Sequence, residues 1–197
     1  MKKLILPLAL VAAAPLAAQS VELGIFIGQQ TYKDVSAGGS TLEASKKTVT
    51  GVRFGYSVVD LGPALFQLTA GYQPESKTEL KEDGLTAPGV EFSHKHWSVG
   101  AMFNFKAFVA VGAGVEYRSE SLDITGTGGG YSTTYGRPWA RVNAGVAFPT
   151  PLVKPFVGLE VAAPLTSKSY AIGDSQQDLS KSLAPKMQIG VYGGIRF

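Results

Sequence analysis

Residues 187–197 read MQIGVYGGIRF and end on Phe197. Apolar side chains recur at alternate positions of this stretch, and polar residues or glycine stand between them. Because a β-strand turns successive side chains to opposite faces, the pattern predicts a strand with one apolar face. A helix would need apolar residues three and four positions apart, and this stretch does not have that spacing.

The same alternation recurs along the rest of the chain. Segments of about ten residues repeat it eight times, at 21–30, 47–59, 64–73, 92–105, 107–118, 137–148, 155–165 and 186–197. Glycine, with 24 residues, is spread through these segments and counts against helices. Repeated alternation of this length is typical of strands that cross a membrane as a barrel.

The connections between the segments alternate in length. Residues 60–63, 106 and 149–154 form short turns, whereas 31–45, 74–91, 119–136 and 166–185 form long connections. The long connections are rich in Ser, Thr, Gly, Asp and Lys, which predicts solvated, mobile loops. Long loops outside and short turns in the periplasm are typical of outer-membrane barrels, so we expect both termini on the periplasmic side.

The N-terminal residues have the pattern of an export signal. Lys2 and Lys3 precede an apolar run, and small residues follow it up to Ala18. We therefore expect a signal peptide at residues 1–18 and a barrel domain at 19–197. Removing Lys2 and Lys3 from the 18 basic residues leaves 16 against 15 acidic ones, so no basic surface for nucleic acid is indicated. The chain has no cysteine, which excludes disulfides and thiolate metal sites.

The segments and the final MQIGVYGGIRF resemble the small eight-stranded outer-membrane proteins, the group of OmpX and the OmpA transmembrane domain. The resemblance implies an all-β fold, an eight-stranded antiparallel up-and-down transmembrane β-barrel, in the outer membrane of a Gram-negative-type bacterium. It also implies that Phe197 is part of the signal read by the barrel-assembly machinery. Because no peptidoglycan-binding domain is expected after residue 197, the barrel-only OmpX arrangement is the closer one. The alternative is a soluble sandwich or lipocalin-like barrel whose apolar face is the core.

In the membrane interpretation, one face of each strand contacts outer-membrane lipid, including lipopolysaccharide. The side chains that we assign to lipid are Ile25, Val52, Phe54, Leu68, Val111, Leu159 and Val191. Aromatic residues near the segment ends suit the two interfacial girdles: Tyr56, Tyr72, Trp97, Phe103, Phe105, Tyr117, Phe148, Phe156 and Phe197.

The opposite face carries glycine and six charges, namely Glu22, Arg53, Glu116, Arg141, Glu160 and Arg196. An eight-stranded barrel is just wide enough to be filled by side chains, and unpaired buried charge is very costly. We therefore expect Glu116, Arg141 and Glu160 to form a cluster that Arg53 joins across the lumen. Glu22 and Arg196 are expected to pair near the periplasmic end. The network is interpreted as a structural plug that involves no metal or cofactor.

Two other functions remain open from the sequence. His96 and Ser98, with Glu116 on the next strand, resemble the His-x-Ser and acid set of the lipid A deacylases, which would imply a serine nucleophile. The simpler interpretation of His94 and His96 is polar residues at the upper rim. A narrow channel would need a continuous wet lumen, which Phe26, Met102 and Tyr192 are expected to block. We favour a non-catalytic barrel that either supports the envelope structurally or presents its long loops for contact with an extracellular surface ligand.

Overall fold

The computed structural model describes residues 20–37, 39–126, 129–148, 150–169, 177–179 and 182–197. The signal peptide expected at residues 1–18 lies outside the described residues. The described chain is almost entirely β-structure. No helix among the described residues is long and apolar enough to cross a membrane.

The described residues form twelve strands. In chain order they are β1 (Val21–Tyr32), β2 (Val35–Ala37), β3 (Ser40–Ala44), β4 (Lys47–Asp60), β5 (Ala64–Glu82), β6 (Leu85–Lys106), β7 (Ala110–Gly126), β8 (Gly129–Ala147), β9 (Lys154–Pro164), β10 (Lys168–Ser169), β11 (Gln177–Asp178) and β12 (Pro185–Arg196). The eight long strands lie where the alternating segments predict them.

These eight strands close into a ring. Each pairs antiparallel with its neighbours in the order β1, β4, β5, β6, β7, β8, β9 and β12, and β12 returns to β1. The seam between first and last strand is regular, with Glu22 opposite Arg196 and Ile27 opposite Val191. The predicted eight-stranded up-and-down barrel is confirmed.

Two of the connections expected to be mobile loops are mainly strand, so that expectation is wrong. β5 and β6 run on through most of residues 74–91 to a turn at Asp83 and Gly84, both with positive φ. A register shift between Gln73 and Ser76 accommodates Pro74 within the strand pair. β7 and β8 continue in the same way through 119–136. These extensions are polar and rich in Ser, Thr and Gly, so their strands lack the apolar alternation that marks the segments below them.

The other two long connections also contain pairing. β2 and β3 form a hairpin that adds to the extension of β5, with Leu42 opposite Glu82. In the last long connection β10 pairs with β11 over two residues of each strand. At the end of the barrel that carries the long connections, β2, β3 and the extended β5 to β8 continue the sheet, whereas β10 and β11 form a separate two-stranded sheet.

The outer face of the ring is apolar over a limited height. All seven side chains assigned to lipid are exposed there, and Leu159 retains 64% of its accessible surface. Exposed aromatic residues on β5, β6 and β7 border this band, with Phe66, Phe103 and Phe105 at the end with the short turns and Tyr72, Trp97 and Tyr117, called here the upper aromatic group, at the other end. Such a band between two groups of aromatic residues matches the hydrocarbon layer of a bilayer.

One aromatic residue was assigned to the wrong face. Phe156, expected in a girdle, is buried inside the barrel, where its ring centroid lies 5.6 Å from that of Tyr192. Its neighbours Val157 and Leu159 on β9 are exposed, which places Phe156 outside the lipid-facing alternation. Phe156 therefore fills the lumen near the short turns.

The extension of β6 gives a direct test of the corrected loops. Residues 91–96 pair with β5 on one side and with β7 on the other. We expect their backbone amides to exchange hydrogen slowly in the detergent-folded protein, because such exchange needs the strand to open. Hydrogen–deuterium exchange with residues 107–109 of the short turn as the internal fast reference measures this. Equal rates in the two segments would contradict the extension.

Candidate functional site

The interior of the barrel is filled in layers that follow one another along its axis. The central one, called here the charge layer, consists of Arg53, Glu116, Arg118, Arg141 and Glu160. Glycine at inward positions of several strands leaves room for these long side chains. The layer is enclosed by the apolar outer band, and buried charges there must be compensated by other groups.

Glu160 on β9 receives an arginine from across the lumen. Arg53 on β4 donates to both carboxylate oxygens of Glu160, through Nη1 to Oε2 and through Nη2 to Oε1 at 2.8 Å. Arg141 Nε lies 3.8 Å from Glu160 Oε2. The bidentate arrangement is the strongest form of arginine–carboxylate contact. It ties the two sides of the ring together through its interior.

Glu116 on β7 is held between two arginines. Arg118 Nε donates to Glu116 Oε1 at 2.6 Å, and Arg141 Nη1 donates to Glu116 Oε2 at 2.8 Å. Arg141 also donates through Nη2 to the hydroxyl of Thr69 at 3.1 Å. The structure thus brings Glu116, Arg141, Glu160 and Arg53 into one connected network. Arg118 belongs to it as well, although the sequence analysis did not count this residue among the interior charges.

Glu22 and Arg196 form a separate pair near the short turns. Arg196 donates to Glu22 Oε2 through Nη2 at 2.5 Å and through Nε at 3.2 Å. Gln67 also donates to Glu22 Oε2, at 3.2 Å. A cavity of about 210 Å³ lies beside this pair and is bounded further in by Phe156 and Tyr192. It is a shallow polar vestibule open to that end.

Phe26 narrows the lumen next to the charge layer. Its ring lies over Gly28 and Gly190, where an added Cβ would stand 2.5 Å and 2.8 Å from the Phe26 Cζ atom. Only glycine leaves room for the ring at these two facing positions. Met102 is also buried in the interior, and its sulfur accepts a hydrogen bond from Arg141 Nε at 3.2 Å.

A layer of amides and one imidazole follows on the other side of the charge layer. Gln188 donates to Gln73 at 2.9 Å, Gln73 donates to Gln30 at 3.3 Å, and Gln30 Nε2 lies 2.9 Å from His94 Nδ1. Burial, together with the charges of Arg118 and Arg137, lowers the pKa of His94 to about 3. His94 lies on β6 beyond Trp97, toward the long connections, and is therefore neutral at neutral pH.

A second charged group, which the sequence analysis missed, adjoins the charge layer on β7 and β8; it is called here the Arg137 group and consists of Arg137, Glu120 and Trp139. Arg118 and Arg137 face each other directly across these strands. Trp139 lies against both guanidinium groups, at 3.9 Å and 5.0 Å from its ring centroid. Arg137 donates to Glu120 Oε2 and, through Nη2 at 2.5 Å, to the Pro185 carbonyl. Glu120 was assigned to a loop and Arg137 to a strand end, so neither was considered as an interior charge.

The proposed catalytic set is not assembled. His96 and Ser98 are both buried inside the barrel on β6, but no hydrogen bond joins them in the described structure. The carboxylate of Glu116 is occupied by Arg118 and Arg141. The expectation that His94 and His96 lie at the rim is also wrong, because the extended sheet encloses and buries both imidazoles. Within the described residues, no group of three or more His, Asp or Glu side chains is placed to hold a metal ion.

The end of the barrel with the long connections has an apolar core of its own. Tyr32, Leu80, Phe92, Leu122 and Tyr135 pack inside the extended strands, and Leu179, Leu183 and Ala184 of the last long connection cover them. A cavity of about 550 Å³ lies between this cover and the extensions. Its lining is mostly apolar, with Asp178 as the charged residue. The cavity has the size and character of a pocket for a small apolar molecule.

Phe197 lies at the seam of the ring. Its backbone N–H donates to the carbonyl of Val21 at 2.9 Å, and its side chain is exposed. The residue thus closes the last strand onto the first and leaves its ring available on the outer surface.

The fold matches solved outer-membrane proteins at low sequence identity. A major outer membrane protein from Thermus thermophilus aligns with a TM-score of 0.56 and 13% identity, over 90% of this chain and 98% of that one. The outer membrane protein OprG from Pseudomonas aeruginosa aligns with a TM-score of 0.53 and 9% identity, over 91% of this chain and 95% of that one. Ail of Yersinia pestis aligns with a TM-score of 0.48 and 12% identity, over 90% of this chain and 98% of that one. No family model and no curated protein matches the sequence.

The first two likenesses show that the chain has the fold of small outer-membrane β-barrel proteins. The resemblance drawn from the alternating segments and the final residues is confirmed at the level of fold.

The charge layer predicts that removing one partner of a buried ion pair lowers the free energy of unfolding, because the other charge is left unpaired. Glu160→Gln leaves Arg53 without its bidentate acceptor in a buried site, so we expect the free energy of unfolding to fall by about 3 kcal/mol. Urea unfolding of the detergent- or lipid-folded protein, followed by tryptophan fluorescence, measures the change.

A glutamate on the outer surface of the extended sheet provides the matched control. Glu91 forms an exposed ion pair with Lys77 at 3.0 Å, so Glu91→Gln should leave the unfolding midpoint unchanged. An equal and small effect of both substitutions would mean that Glu160 is solvated, which contradicts the buried network.

Proposed function

We propose that the protein is a non-catalytic integral outer-membrane barrel with a plugged polar interior, and that its role is structural or lies in surface contacts. The observation that carries this proposal is the combination of an apolar outer band with an interior closed by paired charges. In a soluble barrel the apolar side chains would face inward and the charges outward. The observed distribution is what a bilayer requires.

The proposed orientation follows from the connections. The termini and the short turns lie at one end of the ring, and the extended strands lie at the other. We assign the first end to the periplasm and the second to the cell exterior. In this proposal residues 1–18 are an export signal that is removed, residues 19–197 are the barrel, and the exposed ring of Phe197 is available to the barrel-assembly machinery. The outer band contacts lipid and the acyl chains of lipopolysaccharide.

The extracellular end favours a contact role over a purely structural one. A barrel needs only short connections to close, but here the sheet continues beyond the upper aromatic group and has its own apolar core. The cavity of about 550 Å³ at this end is lined largely by apolar side chains. We propose that an extracellular ligand is contacted here.

A narrow channel is disfavoured by the same interior. The Arg53–Glu160 pair bridges the lumen from β4 to β9, Arg141 reaches from β8 to Thr69 on β5, and the Phe26 ring lies beside them. A hydrolytic function is disfavoured because Ser98 has no base in hydrogen-bonding contact among the described residues.

The plugged interior predicts the absence of ion conductance. The purified protein, reconstituted in planar bilayers, should give no discrete current steps, because an ion would have to cross the buried pairs. A general porin reconstituted under the same conditions serves as the positive control. Reproducible single-channel steps that depend on the amount of protein would contradict the proposal.

A non-catalytic role predicts that outer-membrane lipid is left unaltered. Lipid A from cells that produce the protein should give the same mass spectrum as lipid A from cells that produce the Ser98→Ala variant. Loss of an acyl chain only with the intact serine would overturn the non-catalytic proposal and identify Ser98 as the nucleophile.

A further inference from the structure

We propose that the barrel interior binds one small monovalent anion, such as a halide, in the cavity between the charge layer and the amide layer. The site is beside the guanidinium of Arg118, the imidazole of His96 and the hydroxyl of Ser98. The proposal rests on three observations about this part of the lumen, namely its charge balance, its unpartnered donors and the size of its cavity.

The first observation is an excess of buried positive charge. The charge layer and the Arg137 group together comprise four guanidinium groups (Arg53, Arg118, Arg137 and Arg141) and three carboxylates (Glu116, Glu120 and Glu160). Glu22 and Arg196 neutralise each other elsewhere, and His94 is neutral. One positive charge therefore lacks a counter-charge among the described residues. Uncompensated charge in a water-poor interior is costly, and a bound anion would remove this cost.

The second observation is that hydrogen-bond donors are left over at the same place. Arg118 Nη1, a donor, and His96 Nδ1, which donates in one of the two neutral imidazole tautomers, are buried atoms without a hydrogen-bond partner in the described structure, and both side chains line one cavity. Arg118 is 1% exposed and His96 is 7% exposed. Arg137 Nη1 and Trp139 Nε1 are further unpartnered donors nearby, His94 Nε2 and the Tyr135 hydroxyl are unpartnered as well, and Glu120 Oε1 is the unpartnered carboxylate oxygen of this set. A surplus of buried donors calls for a ligand that accepts hydrogen bonds.

The third observation concerns size. The cavity has a volume of about 20 Å³, and its polar lining also includes Ser98, Gln73, Gln188 and the guanidinium of Arg53. Space of this order holds a single water molecule or a monatomic ion, whereas sulfate or a carboxylate ligand is too large. Glu116 also borders the cavity, but both of its oxygens accept hydrogen bonds from arginines, so its charge is already compensated.

Water and an anion would both satisfy the free donors, but they differ in charge. A water molecule would leave the extra guanidinium charge uncompensated, whereas an anion would neutralise it. The charge balance therefore favours the anion. Water alone in the cavity is the outcome that would overturn the proposal.

The decisive experiment is diffraction from crystals of the folded barrel grown in sodium bromide. Bromide scatters anomalously and water does not. We expect an anomalous peak in the cavity within hydrogen-bonding distance of Arg118 Nη1. An ordered water without anomalous signal, or an empty cavity, would overturn the proposal.

A solution measurement tests the site independently of crystals. The unfolding midpoint should rise with bromide concentration in a saturable way when bromide replaces gluconate at constant ionic strength, because the anion binds the folded state only. Ser98→Ala removes one donor but no charge, and we expect it to weaken the apparent bromide affinity about tenfold.

A serine outside the lumen supplies the matched control. Ser121 lies on the extension of β7, away from the cavity. Its hydroxyl shares a hydrogen bond with the hydroxyl of Thr134, with 2.9 Å between the two oxygens. Ser121→Ala should keep the parental bromide dependence. A dependence that does not saturate, or one that Ser98→Ala and Ser121→Ala alter equally, would overturn the proposal.

Discussion

A backbone N–H or C=O group placed in hydrocarbon finds no water, so every such group in a membrane-spanning sheet must pair with another strand. The ring satisfies this constraint completely at its seam, where β1 and β12 pair from Glu22–Arg196 to Gln30–Gln188 without interruption. Closure also fixes the two faces of each strand, because alternate side chains then point to lipid or to the lumen. The apolar outer band and the charged interior are both consequences of this one requirement.

A ring of eight strands has a narrow lumen, and its contents therefore determine what passes through it. Here long charged side chains fill the centre, and glycine on facing strands makes room for them and for the Phe26 ring. Paired charges in a dry interior need not stabilise the fold more than apolar side chains in the same place would. Removal of one partner is nevertheless destabilising, because it leaves the other charge buried and unpaired. Such an interior accepts few substitutions. This explains why a barrel of this size behaves as a plug, and it makes the unmatched guanidinium charge near Arg118 significant.

The sequence predicted the parts of the structure that depend on local alternation. The eight spanning strands, the lipid-facing residues and the six interior charges all lie on segments where apolar and polar side chains alternate, and the structure joins Arg53, Glu116, Arg141 and Glu160 in one network. Apart from the Glu22–Arg196 pair on the neighbouring first and last strands, the sequence could not show which carboxylate each arginine would contact, since this depends on the position of strands across the lumen. The bidentate Arg53–Glu160 contact joins residues far apart in the chain.

The errors at the extended end of the barrel have a common physical cause. Above the membrane a strand has water on its outer face, so apolar alternation is no longer required and the extensions of β5 to β8 resemble loops in composition. Glu120 and Arg137 were missed because they lie in or beside these stretches, and His94 and His96 were placed at a rim that the extended sheet in fact encloses. Phe156 was misplaced because an aromatic residue near a strand end suits a girdle and a filled lumen equally well.

The arrangement of faces, on which the whole account depends, is tested most directly by the two tryptophans of the chain. Trp97 is half-exposed on the outer ring, and Trp139 is fully buried in the lumen. In bilayers of lipids with brominated acyl chains, the account predicts strong quenching of the wild-type fluorescence and loss of most of that quenching in the Trp97→Phe variant. Quenching that persists in this variant would place Trp139 against lipid, which would invert the faces and contradict a transmembrane barrel with a polar interior.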